Sequence, residues 1–275
     1  MQLNTQSDKL LQRLIIYAVF PTVVIFMVLL ALPHWEPKGH LPVLVAFTLL
    51  TIVCSFASFR TPDATLTLNN AVILSGLLLW GEWVAVWSCL LEVIILGFLF
   101  RSSVTRTLAN AGQMLSTVLI VGWVHTCLEA FHVPWAISDL LLILAYWLVN
   151  TLLCAILISY YSSVRWKSAV ANMLTRGSAT YIMLLIIGGM GARLVDQYGV
   201  LALIPLVAAF VIISVVLRQY YESIHKLAQK MDEIKSFNHK FLTAMAASID
   251  ARDHYTSGHS QRVIKSIFVC KIALG

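Results

Sequence analysis

Between Tyr255 and Val263 the order is Tyr-Thr-Ser-Gly-His-Ser-Gln-Arg-Val, which gathers an imidazole, a guanidinium and several hydroxyls within nine residues of one another. An imidazole can hold a metal or carry a proton. A lone histidine is more often a partly exposed helix-start residue, but His259, flanked by Gly258, Ser260 and Arg262-Val263 after a helical lead-in, is not a usual core feature. A second set of polar groups sits in apolar sequence. Glu92 falls near the middle of a long apolar run, where an ionisable side chain costs roughly 2.5 kcal/mol or more and must face partners or a cavity. Asn69, Asn70, Asn110, Gln113 and Asn150 lie at similar depth. Two readings stay open for them: together they line a small-ligand site, or each ties helices together by a hydrogen bond worth about 0.6 kcal/mol.

The elements that must position these groups belong to a bilayer. Of the 275 residues, 59% are hydrophobic and 12% charged, against about 25% charged in an ordinary globular domain. Runs of roughly 17 to 25 apolar residues suffice for a spanning helix, and eight fit the hydropathy, over 14–32, 41–59, 68–80, 83–100, 107–130, 136–162, 177–192 and 200–217. The third is short and is followed at once by Gly81-Glu82, so it forms either a tight hairpin or a re-entrant pair with the fourth. The first run is long enough to span and lacks a small-residue cleavage pattern, so it is expected to stay as a membrane helix.

With the N-terminus inside, nine basic residues (Lys9, Arg13, Arg60, Arg101, Arg106, Arg165, Lys167, Arg176 and Arg218) are cytoplasmic, and two, Lys38 and Arg193, are outside. That asymmetry is a positive-inside bias, and an even span count returns the C-terminus to the cytoplasm. Trp35, Trp80, Trp83 and Trp135 cluster at the expected outer boundary, where interfacial aromatics settle. The net charge of +6 is scattered at the ends of apolar segments, which argues against a nucleic-acid polymer as partner. The five cysteines, Cys54, Cys89, Cys127, Cys154 and Cys270, have neither metal-ligand nor redox spacing. His125 and His132 are seven apart, but Pro134 and the loop expected around it argue against a shared helical face.

After position 217 the composition turns charged and helix-forming, with no Pro or Gly before Gly258. Ile224, Leu227, Met231, Ile234, Asn238, Phe241 and Met245 follow alternating steps of three and four, a heptad seam of about three repeats. Asn238 occupies a position where a buried Asn fixes register and a two-stranded state. The alternative is a single amphipathic helix packed on its own domain. The expected organisation is an all-α chain: an integral membrane helix bundle over 1–217, a cytoplasmic coupling helix over 218–245, and a further helical segment over 246–275.

That last segment resembles the opening of an HD-GYP domain, the cyclic di-GMP phosphodiesterase family. The resemblance rests on Tyr255-Thr256-x-Gly258-His259-Ser260-x-Arg262-Val263 and on Asp250-Ala251-Arg252-Asp253 before it. It implies that 246–275 begins an all-α HD-type domain and that His259 matches the first histidine of a metal-ligand set. It also implies that Tyr255, Thr256, Gly258, Ser260 and Arg262 are substrate-contacting or structural motif positions, with Arg262 orienting the helix or meeting phosphate. Asp253 is also suited to capping the next helix, and His254 stands where the family often has Pro. The complete family domain implies a divalent metal, iron or manganese, and cyclic di-GMP as substrate. No His-Asp dyad and no Gly-Tyr-Pro occur in the sequence, so the chain alone is expected to support neither metal nor catalysis. More loosely, residues 59–160, with Leu66-Thr67-Leu68-Asn69-Asn70 and Asn110-Ala111-Gly112-Gln113, resemble an integral-membrane sensory module found ahead of HD-GYP and diguanylate cyclase domains.

These readings point to a membrane-anchored signalling protein of the bacterial inner membrane, multi-pass with both termini cytoplasmic. It is expected to be homodimeric through the coupling helix and to regulate an HD-GYP phosphodiesterase. Two alternatives remain: a small-molecule transporter component, motivated by Glu92 and the Asn/Gln set but without an internal repeat relating its halves, and a non-catalytic dimeric regulator.

Overall fold

The computed structural model describes residues 3–35, 37–56, 59–60, 65–162, 164–176 and 178–252. Its described part is helical apart from one two-residue antiparallel pair, β1 (Phe59–Arg60) with β2 (Thr65–Leu66), in which Phe59 faces Leu66 and Arg60 faces Thr65. The chain divides into two compact units, 1–215 and 216–275.

In the first unit, α1 (Leu3–Leu14) runs through a π turn at Ile15–Val19 into α2 (Phe20–Ala31), and a short 3-10 turn, Leu32–Trp35, leads to α3 (Pro37–Phe56). The π turn has an identifiable cause. Pro21 has no amide proton, and its ring collides with the carbonyl four residues back in a regular α-helix. Widening the preceding turn relieves that collision. The sequence therefore marks the kink with a proline, although the helix itself begins at Leu3, well before the apolar run expected to start it.

Past the β pair come α4 (Asn69–Trp80), α5 (Glu82–Leu99), α6 (Val104–Ala130) and α7 (Trp135–Ser162). Gly81, at φ 84°, makes the turn between α4 and α5, a backbone region that costs other residues but not glycine. Of the two arrangements expected there, a tight hairpin or a re-entrant pair, the turn at Gly81 is common to both. At 12 residues and about 1.5 Å per residue, α4 extends about 18 Å, short of the roughly 30 Å hydrocarbon core. α4 is thus a half-length helix, too short to cross that core by itself.

Two further helices complete this unit: α8 (Trp166–Arg176) and α9 (Ser178–Tyr198), followed by a 3-10 turn at Val200–Ala202 and the start of α10 (Leu203–Arg252). α8 was not foreseen. It lies in the stretch read as a cytoplasmic loop, mixes Lys167 with Trp166, Val170 and Leu174, and packs against α7. α9 continues six residues past the expected end at position 192, because Arg193 is held within the bundle rather than marking its edge.

Four helical stretches among the described residues are long and apolar enough to cross a membrane: Lys9–His34, Glu82–Leu99, Val104–Ala130 and Trp135–Ser162. Leu41–Phe56 and Asn69–Trp80 are shorter apolar helices. Their outward faces carry Ile25, Leu29, Phe98, Trp123, Leu140 and Leu148 in the open, far more apolar surface than a protein in water sustains. A bilayer is the medium that suits it.

The interior is equally apolar. Met27, Ile73, Leu77, Val86, Leu115, Val118, Leu142 and Leu185 form the larger core, contributed by α2, α4, α5, α6, α7 and α9. Phe47, Leu50, Val72, Val84, Leu184 and Val195 form a second one around α3, α4, α5 and α9. Since lipid tails are as apolar as leucine, burial alone does not hold such helices together, and close packing at small residues does. Gly112 of α6 meets the backbone of Phe20 where α2 leaves the π turn, and Gly188 of α9 lies against Ala71 of α4. At the second contact Ser75 Oγ donates to the carbonyl of Gly188 at 2.7 Å.

In the second unit, α10 from position 216 to Arg252 displays Ile224, Leu227, Met231, Ile234, Phe241 and Met245 in the open, together with Phe237 and Leu242.

Candidate functional site

Glu92 lies on α5 about 15 Å along the helix from Glu82 and about 10 Å from Leu99 at 1.5 Å per residue, and its side chain is 1% exposed. The chain before α4 brings Thr67 to it: Thr67 Oγ1 donates to Glu92 Oε1 at 2.7 Å. Next to it, Asn69, the first residue of α4, is fully buried and donates through Nδ2 to Ser55 Oγ of α3 at 2.7 Å. The half-length helix is what makes this possible. Because α4 starts beside Glu92 of α5, its positive N-terminal end and its first side chains meet that carboxyl.

The hydrogen bonding of this cluster is lopsided. Glu92 Oε2, Asn69 Oδ1, Thr51 Oγ1 and Ser88 Oγ are all buried without a hydrogen-bond partner. Thr51 stands one helical turn before Ser55 on α3, and Ser88 one turn before Glu92 on α5, so each pair shares a helix face. Buried polar groups are nearly always satisfied. Four of the seven buried unpartnered polar atoms among the described residues belong to these residues of α3, α4 and α5.

The other intramembrane polar residues do not join Glu92 in one site. Gln113 Nε2 donates to Asn150 Oδ1 at 2.8 Å, tying α6 to α7, and reaches Thr117 Oγ1 at 3.5 Å. Asn70 Oδ1 accepts from Tyr146 Oη at 3.2 Å, tying α4 to α7. Asn110, half-buried, turns its amide toward Met114 Sδ at 3.8 Å, one turn along the same helix. For Gln113, Asn150 and Asn70 the geometry is that of interhelical hydrogen bonds.

A further polar contact escaped the sequence reading. Arg193 of α9 grips Asp139 of α7 with both arms of its guanidinium, Nε to Oδ2 at 2.7 Å and a second nitrogen to Oδ1 at 2.5 Å. The same guanidinium carbon lies 5.6 Å from the centre of the Trp135 ring, within cation–π range. Counting basic residues found Arg193 as an outer-side charge, but Asp139, 54 positions away, carried no local signal. At the same end of the bundle His34 stacks on Trp83 at 6.2 Å and Trp80 meets Phe47 edge-on at 5.3 Å. His125 pairs with Glu129, one turn along α6, while His132 sits in the turn after that helix at φ 52°. The two histidines share no helix.

Tyr255, Thr256, Gly258, His259, Ser260 and Arg262 lie outside the described residues, as does Asp253. Asn238 is on the exposed surface of α10. Among the described residues no three histidine, cysteine or carboxylate side chains come together as a set able to hold a metal ion. Comparison with models of known families, with curated proteins and with solved structures finds no match.

Proposed function

We propose that the chain is the membrane-embedded sensory and coupling part of a signalling protein whose cytoplasmic output is an HD-GYP phosphodiesterase acting on cyclic di-GMP. The carrying observation is the Tyr255–Val263 motif, which begins three positions after Arg252, the last described residue of α10. In this reading eight spans cross the inner membrane, both termini are cytoplasmic, and α9 and the first part of α10 serve as the seventh and eighth. α10 then carries the signal as one arm of a parallel dimer, since small shifts or rotations of a packed helix are a recognised form of switching.

The exposed stripe on α10 supports the dimer. Ile224, Leu227, Met231, Ile234, Phe241 and Met245 are exposed among the described residues, and leaving such a seam in water forfeits its burial energy. Phe237 and Leu242, flanking the seam in consecutive heptads, add apolar surface that would meet across a parallel pair. Against this, Lys230 and Lys235 would also face each other there. Asp232, 3.7 Å from the Lys235 ammonium, offsets part of that repulsion.

Two tests apply. The coding frame past Gly275 is expected to encode a His-Asp pair and a Gly-Tyr-Pro motif; an unrelated domain in that place removes the phosphodiesterase assignment. For the dimer, light scattering of the full chain in detergent is expected to give two copies per particle. Phe241→Asp should give single copies, and Asn238→Leu should keep association but add higher oligomers, because a polar core position restricts the oligomeric state. Single copies of the wild type, or no response to either substitution, would remove the coiled-coil arm.

A further inference from the structure

The Glu92 cluster has the composition of a cation site. Two donors of the cluster are already engaged: the Thr67 hydroxyl with Glu92 Oε1, and the Asn69 amide nitrogen, which is also within reach of Glu92, with Ser55. What remains without a hydrogen-bond partner is oxygen: Glu92 Oε2 and Asn69 Oδ1, together with the hydroxyls of Thr51 and Ser88, one turn before Ser55 and Glu92 on their own helices. Nothing in the cluster offers a neutralising charge, since the ion pairs among the described residues of the bundle lie elsewhere.

An isolated carboxylate cannot stay charged and unpartnered in such surroundings without a large cost. Of the ways to relieve it, a proton on Oε2 supplies one donor and satisfies one further acceptor. A hard cation takes several oxygens at once, which matches the number left open. One carboxylate supplies one negative charge, so the matching ion is monovalent. An oxygen-only donor set excludes the softer metals that seek nitrogen and sulfur.

We propose that Glu92 and Asn69, with Thr51 and Ser88, bind one monovalent cation of the sodium class at the junction of α3, α4 and α5. The half-length α4 is the element that assembles the site: its first residue supplies Asn69, and the residue before its cap supplies Thr67. An ion bound there ties the start of α4 to α3 and α5. The binding itself stands apart from the phosphodiesterase assignment. Only its role as the stimulus rests on the signalling reading.

The test uses the full chain in detergent, with melting followed by tryptophan fluorescence as sodium chloride replaces choline chloride at constant ionic strength and pH. A ligand that binds only the folded state raises the melting temperature by mass action. The expected result is a saturable rise of about 5 °C near a hundredfold excess over the dissociation constant. Glu92→Gln keeps an oxygen for Thr67 and turns an amide toward Asn69 Oδ1, so it should fold and lose the sodium response. Equilibrium binding of sodium-22 to the wild type needs no variant and should give one ion per chain. The proposal is overturned by no bound sodium, by an equal sodium response in Glu92→Gln, or by a melting temperature that follows pH but not sodium, which would make a proton the occupant. A chain that binds sodium but whose complete reading frame hydrolyses no cyclic di-GMP keeps the site and loses the signalling role.

Discussion

Gly112→Ala is expected to cost about 3 kcal/mol or more and to lower the yield of folded protein sharply. A single added methyl is normally a small change, and overpacking in a core typically costs 1–3 kcal/mol because neighbours can give way. Here they cannot. The new Cβ would run into Cβ of Phe20 and stand 2.7 Å from its Cα and 2.8 Å from its carbonyl carbon, so the collision includes backbone on the far helix. Relief requires α2 and α6 to separate, which loses the close packing that holds helices together in lipid. Two controls sharpen the expectation. Phe20→Ala should not rescue Gly112→Ala, because Cβ, Cα and the carbonyl carbon all remain. Gly189→Ala should be tolerated within about 1 kcal/mol, since its nearest neighbour, Ile143 Cδ1 at 3.3 Å, is the end of a side chain that can turn away. Thermal unfolding in detergent reads all three. A melting temperature for Gly112→Ala close to that of Gly189→Ala would contradict the close approach of α2 and α6.

Arg193→Leu is expected to destabilise by about 2 kcal/mol. Removing one partner of a fully buried ion pair costs about 3–5 kcal/mol, whereas exposed pairs are worth about 0–1. The Arg193 side chain is 39% exposed and that of Asp139 12%, so the pair falls between these limits. Most of the loss comes from stranding the Asp139 carboxylate, and the asymmetry follows from that. Asp139→Asn leaves a partly exposed guanidinium still stacked near Trp135 and should cost less than Arg193→Leu. In the double variant no carboxylate is stranded, so the two effects should fall short of adding. Additive losses in a double-mutant cycle would show that the two side chains contribute independently.

The sequence made the apolar helices and the turn at Gly81 legible because each depends on local signals: run length in the first case, a glycine between two apolar runs in the second. It made Glu92 legible as an oddity, since a carboxylate in an apolar run must find partners. Those partners could not be read off. Thr67 is 25 positions away in a stretch with no regular pattern, and Ser55, Thr51 and Ser88 look like the ordinary hydroxyl residues of membrane helices. Which Asn or Gln meets which helix was likewise hidden, because rotational setting depends on packing against neighbours. Gln113 and Asn150 pair across α6 and α7 although nothing in their spacing links them. α8 went unseen for the opposite reason: at 11 residues with Lys167 in its first turn, it is too short and too polar to stand out among spans.

The most direct measurement is cyclic di-GMP hydrolysis by membranes containing the product of the complete reading frame, supplied with manganese, compared with the same membranes carrying His259→Ala. Water should add at one phosphorus as its bond to the ribose oxygen breaks, releasing the linear dinucleotide, and this release should be lost in His259→Ala at unchanged protein level. Absence of hydrolysis in the folded wild type, or hydrolysis that survives His259→Ala, would contradict the assignment of α10 as the arm between a membrane sensor and a phosphodiesterase.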